Sequence, residues 1–162
     1  MSKNKQKIRK SDRPFSNIIS FAEGFPGNST GQPYFFVSSL DQSMADLRAF
    51  NYASLAVSEA ASGPCGTGTV TNDPEDPRCV RLVLNGSWTK VPVHSQEWVL
   101  ARRNLFKHHP EMKDWESMGT HDWFLAKLEI DHLWLIDWFG GGYEMPLSDY
   151  FSGSDGIGNS LK

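Results

Sequence analysis

Trp123-Phe124-Leu125-Ala126-Lys127-Leu128-Glu129-Ile130 decides the fold. Phe124, Ala126, Leu128 and Ile130 fall on one side of a two-residue period; Leu125, Lys127 and Glu129 fall on the other. That alternation predicts a half-buried β-strand. Downstream, Asp131-His132 predicts a turn or kink. Residues 133–139, dense in Trp134, Leu135, Ile136 and Trp138, predict another strand, and Gly140-Gly141-Gly142 a tight turn out of it. Residues after Tyr150 are rich in Gly and Ser and read as a loose tail.

Upstream, Ser95 reads as an N-cap, with a helix running to about His108 and Trp98, Ala101 and Leu105 on one face. Lys107, His108 and His109 suit its C-terminal dipole, and Pro110 stops it. Residues 79–93 predict a strand in which Gly86 marks a bulge or a close backbone approach. Residues 61–78 read as a long loop and 53–60 as a strand. Asp41 caps a helix over 42–50 that puts Met44 and Leu47 on one face. Residues 15–22 and 33–38 predict a hairpin whose Gly/Pro-punctuated loop, 24–31, exposes Asn28 at its tip. Five or six strands with two helices in their connections favour a mainly β antiparallel barrel with helices at its flanks.

The chain has 162 residues, 39% apolar and 22% charged, enough for one domain with its own core. No apolar run is long enough to span a membrane as a helix. Net charge is −3, unevenly spread. Lys3, Lys5, Lys7, Arg9, Lys10 and Arg13 sit in the first fourteen residues, leaving 15–162 with ten bases against eighteen acids, a net of −8. A body of that sign repels phosphate backbones, so a nucleic-acid partner is not expected. Residues 1–13 read as a solvated basic tail, without the apolar core of a secretory signal. Taken literally that start is cytoplasmic. Against it stand two glycosylation acceptor patterns, Asn28-Ser29-Thr30 and Asn85-Gly86-Ser87, and a cysteine pair flanking a loop.

Cys65 and Cys79 are open to three readings: a nucleophile, a metal pair or a disulfide. A disulfide is expected if the chain passes through an oxidising compartment. His94, His108, His109, His121 and His132 have no zinc-ligand spacing, and the glycine triplet is not a phosphate loop, so no metal and no catalytic residue is assigned. Trp115, Trp123, Trp134 and Trp138 suit either a stacked planar cofactor such as a flavin, or core and subunit interface; the second reading is preferred.

Several stretches together resemble the CREG family, the cellular repressors of genes stimulated by an adenoviral early protein. They include Pro33-Tyr34-Phe35-Phe36, Leu40-Asp41-Gln42-Ser43, Asp73-Pro74-Glu75-Asp76-Pro77, His109-Pro110-Glu111-Met112-Lys113-Asp114-Trp115, and the run from Phe124 to Gly141. The resemblance covers residues 14–150. It implies a split β-barrel of the pyridoxamine-phosphate-oxidase type. It also implies a homodimer, a secreted or endolysosomal glycoprotein, a cell-surface or lysosomal sorting receptor as partner, and no established catalysis. In flavin-using relatives the corner matching residues 38–45 supplies a hydroxyl and a basic pair for the FMN phosphate. Here Ser38 and Ser43 are what that corner offers, with the basic positions falling at Ser43 and Met44. A dianionic phosphate favours Arg or Lys, so FMN is disfavoured and no cofactor is expected. Family members carry a signal peptide, a helix and a first barrel strand before the Pro14-Phe15 equivalent. Only thirteen residues precede Pro14 here, so the barrel is expected to lack its first helix and strand.

Overall fold

A computed structural model describes residues 14–65, 71 and 73–153. Among them β1 (Phe21–Phe25), β2 (Asn28–Ser38), β3 (Ala53–Ser58), β4 (Arg81–Lys90), β5 (Trp123–Ile136) and β6 (Tyr143–Glu144) form one antiparallel sheet. Its order is β1-β2-β5-β4-β3, with β6 on β5. The helices are α1 (Gln42–Ala49), α2 (Gln96–His108), α3 (Met112–Ser117) and α4 (Leu147–Gly153). The expected class, mainly β and antiparallel with flanking helices, is the one found.

The sheet is buried on both sides, and β2 shows why. Tyr34 and Phe36 enter one core with Leu125, Ala101, Leu105 and Phe106, against α2. Phe35 and Val37 enter the other with Leu84, Ala126, Leu128, Leu133 and Met44 of α1. A strand covered on two faces reads as a continuous apolar run, as residues 33–38 do. Each large side chain so buried contributes about 1.5–3 kcal/mol.

β5 corrects the expected break. Asp131-His132, expected as a turn or kink between two strands, is a kink within one: residues 123–136 form a single strand. Asn85 pairs with His132 and Gly86 with Ile130, leaving Asp131 as an extra, bulged residue. The bulge shifts the side-chain parity by one. Ala126 and Leu128 before it and Leu133 after it therefore all reach the same core. Residues 137–139, expected in a strand, lie outside one.

The first hairpin is displaced relative to expectation. Residues 15–20 are not strand, and most of the expected 24–31 loop is. The Glu23 carboxylate accepts from the backbone N–H of Thr30 and Gly31 and from Ser29 Oγ, which pins the strands together up to a Pro26-Gly27 turn. Both long helices begin where their caps predict. Asp41 accepts from Ser43 N at 2.6 Å, and Ser95 Oγ accepts from Trp98 N at 3.0 Å. Asn104, buried on α2, donates to the Glu23 and Gly24 carbonyls at 2.8 and 3.3 Å and so ties α2 to β1.

Two helices were not expected. α3 follows Pro110 and buries Met112. Residues 151–153, expected in a flexible tail, are instead the last turn of α4; residues 1–13 and 154–162 lie outside the described residues. α4 docks through Tyr150, whose hydroxyl donates to the Gly31 carbonyl at 2.7 Å. Any Cβ at position 31 would lie 2.7 Å from the Tyr150 ring, so this latch requires glycine there.

Burial, with the nearby Glu23 charge second, pushes the Tyr150 phenol up to about 12 from its usual 10. The folded state thus holds a proton that the unfolded chain releases earlier. Its stabilising contribution is complete below about pH 10 and is lost as pH rises toward about 12. Tyr34 shifts in the same direction, through burial and its hydrogen bond to Glu97. The urea midpoint is therefore expected to fall between about pH 10 and about pH 12, and Tyr150→Phe should lower the unfolding free energy by about 1 kcal/mol at neutral pH while flattening the alkaline decline. An unchanged alkaline slope in Tyr150→Phe would show that the latch does not hold α4.

Candidate functional site

The β2–α1 corner is built from Ser38 to Met44. Ser38 closes β2, is 5% exposed, and its hydroxyl accepts from Leu40 N at 3.2 Å. It is thus committed to shaping the turn. Asp41 caps α1 with a carboxylate that accepts from Ser43 N and, at 3.4 Å, from Asn17 Nδ2. Met44 points into the barrel core and is 3% exposed. The cation nearest in sequence, Arg48, donates to the Ser39 carbonyl at 3.3 Å. The N-terminus of α1 therefore already holds an anion. A phosphate approaching the same N–H groups meets like charge at close range.

Beside the corner lies a cavity of about 410 Å³. Ser38 and Asp41 line it; Ser43 and Met44 do not. One wall is aromatic. Trp123 stacks on Phe36 at 5.0 Å and 14°, and on Trp115 at 5.8 Å and 24°, while His121 lies 5.4 Å from Trp123. Of the four tryptophans considered for ring stacking, Trp115 and Trp123 meet here. Trp134 packs against Gly142 instead, and Trp138, 49% exposed, leans on Phe139. Phe36 and His121 were missed by sequence reasoning, because nothing local marks residues that meet only through β2, α3 and the start of β5.

The remaining candidates lie elsewhere. Cys65 and Cys79 are joined in a buried disulfide with Cα atoms 5.2 Å apart. Cys65 also pairs with Thr71 through two backbone hydrogen bonds. In the same loop, Arg78 grips Asp76 at 2.6 Å and holds its carboxyl down at about 2. Asn28 is exposed at the hairpin turn. Asn85 sits in mid-strand on β4, its carbonyl accepting from Ser54 Oγ and its amide donating to His132 Nδ1 at 3.1 Å. His132 Nε2 faces Glu144 at 3.3 Å. His108 and His109 close α2, through the Asn104 and Phe21 carbonyls. His94 adopts a left-handed backbone just before the α2 cap. Among the described residues no group of three or more His, Cys, Asp or Glu is placed to hold a metal.

A family described as CREG, beta-barrel matches residues 1–152. Mouse Protein CREG1 is 40% identical over 139 residues, which is 86% of this chain and 60% of that protein. Human Protein CREG2 is 37% identical over 138 residues, or 85% of this chain and 46% of that protein. The chain thus spans about half to three fifths of the length of these relatives. Among solved structures, a heme binding protein from Mycobacterium smegmatis superimposes with a TM-score of 0.65 at 15% identity, over 88% of this chain and 51% of the other. HutZ, the heme storage protein from Vibrio cholerae, gives 0.56 at 14% identity, over 83% and 79%. At such identities these likenesses speak to the fold, the split barrel.

Proposed function

The chain belongs to the CREG family, and from that premise we propose that it is a non-catalytic secreted or endolysosomal glycoprotein acting through protein–protein contacts, in growth and differentiation or in lysosomal function. The observation that carries the reading is the Asp41 carboxylate at the corner where a flavin enzyme of this fold would need cations. The alternative, an FMN-dependent oxidoreductase of the pyridoxamine-phosphate-oxidase type, requires a phosphate in that corner. It is disfavoured on charge.

Supporting the oxidising compartment are the Cys65–Cys79 bridge and the exposed acceptor Asn28. Asn85 is the second acceptor. The contacts would be made first with a second copy of the chain and then with a cell-surface or lysosomal sorting receptor. Trp138, Phe139 and Tyr143 are exposed next to one another along the chain beyond β5, and aromatic residues so placed are the usual anchors of interfaces.

Expression through a eukaryotic secretory pathway tests this. The secreted protein should lose mass on glycosidase treatment, and Asn28→Gln should remove one glycan. Sedimentation velocity should give a dimer that Trp138→Ala with Phe139→Ala weakens roughly a thousandfold, the loss expected for two interface hot spots. A glycan-free monomer would contradict the reading.

A further inference from the structure

We propose that residues 15–18 of one copy of this chain add as a strand to the open edge of β3 in a second copy. The inference goes beyond contacts through Trp138 and Phe139 and does not depend on them. Two separate features carry it, an edge and a strand. β3 is the last strand in the sheet order and pairs with β4 alone. At the other end of that order, β1 is tied to α2 and the residue after it: Asn104 and His109 hydrogen-bond to the carbonyls of Glu23, Gly24 and Phe21. Among the described residues the backbone of 53–57 has no partner outside β4. Soluble proteins guard such edges with charge, proline or a bulge. Ala53-Ser54-Leu55-Ala56-Val57-Ser58 has no charge and no proline, and its register with β4 runs without a shift.

The strand is the stretch before β1. Residues 15–22 read as a strand in the sequence, yet 15–20 are not in one. Phe15-Ser16-Asn17-Ile18 makes no backbone hydrogen bond among the described residues, and Asn17 Nδ2, 3.4 Å from Asp41, supplies its one side-chain hydrogen bond. Ile18 is 96% exposed and Phe15 53%, so both forgo apolar burial. Ile19 packs against the barrel core, as does Leu55 of β3, so the free part is anchored immediately after its end. Strand addition would give the unpaired backbone of both elements a ladder and cover Ile18 or Phe15. Neither element bears a charge, so two copies meet there without the repulsion that a net charge of −8 over 15–162 imposes elsewhere. Exchange about a two-fold axis satisfies the edge and the strand of both copies at once.

Disulfide trapping in the full chain tests this, on a Trp138→Ala, Phe139→Ala background so that the other interface contributes nothing. Ser16→Cys and Ala56→Cys, both at exposed positions, are made in separate chains, mixed and oxidised. This pair is expected to cross-link at least about tenfold faster than Ser16→Cys mixed with Ser148→Cys, an exposed position on α4. Ile18→Asp, added to the Ser16→Cys chain, changes a residue outside the core and should slow the trapping by about tenfold. Equal rates with Ala56→Cys and Ser148→Cys would overturn the proposal. So would an unchanged rate in Ile18→Asp, or a bridge within one chain when Ser16→Cys and Ala56→Cys are combined at high dilution.

Discussion

Gly86→Ala is expected to cost more than about 3 kcal/mol and to leave most of the protein unfolded or insoluble when expressed. A Cβ at position 86 would overlap the Glu129 carbonyl and come within 2.9 Å of Ile130 Cα. Both are backbone atoms of β5, the strand that pairs with β2, β4 and β6. No side-chain rotamer relieves that contact. Relief means separating β4 from β5, and with them the longest pairing in the sheet. The contact is close because Asp131 bulges out opposite, so that the two backbones converge at Gly86. Urea unfolding followed by far-ultraviolet circular dichroism is the check. A soluble Gly86→Ala protein with a midpoint near that of the parent would mean that the register around the bulge is wrong.

Removing the bridge acts by a different route. Cys65→Ala with Cys79→Ala is expected to destabilise by about 3 kcal/mol, the chain-entropy value for a closed loop of about 15 residues. That corresponds to a fall in Tm of roughly 6–12 °C for a chain of this size. The native contacts of the sheet are untouched, so the loss arises mainly in the unfolded state. Bridged sulfurs carry no thiol, so alkylation of the secreted protein in denaturant should add nothing before reduction. Uptake of two alkyl groups without reductant would reject the bridge, and with it the support it lends to an oxidising compartment.

The parts of the fold that were legible in the sequence are those set by local chemistry. Asp41 and Ser95 announced their helices because an N-cap is a contact between neighbours in sequence. The existence of the first hairpin, though not its bounds, the antiparallel class and the crowding at Gly86 were legible for the same reason: period, turn residues and a missing Cβ are local signals. The parts that were not legible depend on distant partners. A kink at Asp131 was legible, but its form, a bulge inside one continuous strand, exists only in the register between β4 and β5. α4 is held by Tyr150 on Gly31, more than a hundred residues away, while its Gly- and Ser-rich flank reads as a tail. α3 is six residues long, fixed by the burial of Met112 and not by any propensity of its own.

The candidate site divides along the same line. Ser38, Ser43 and Met44 were named through the family resemblance. What the corner does electrostatically depends on Asp41, which the sequence marked merely as a cap. The carboxylate that starts the helix also sets the sign of the cavity beside it, and that dual role becomes visible once β2, α1 and the Trp115–Trp123 stack are seen together.

That sign is the centre of the account, and titration of FMN into the secreted protein measures its consequence directly. Flavin fluorescence is predicted to show no saturable quenching, and the purified protein to be colourless. Saturable quenching in the micromolar range at one site per subunit would contradict it.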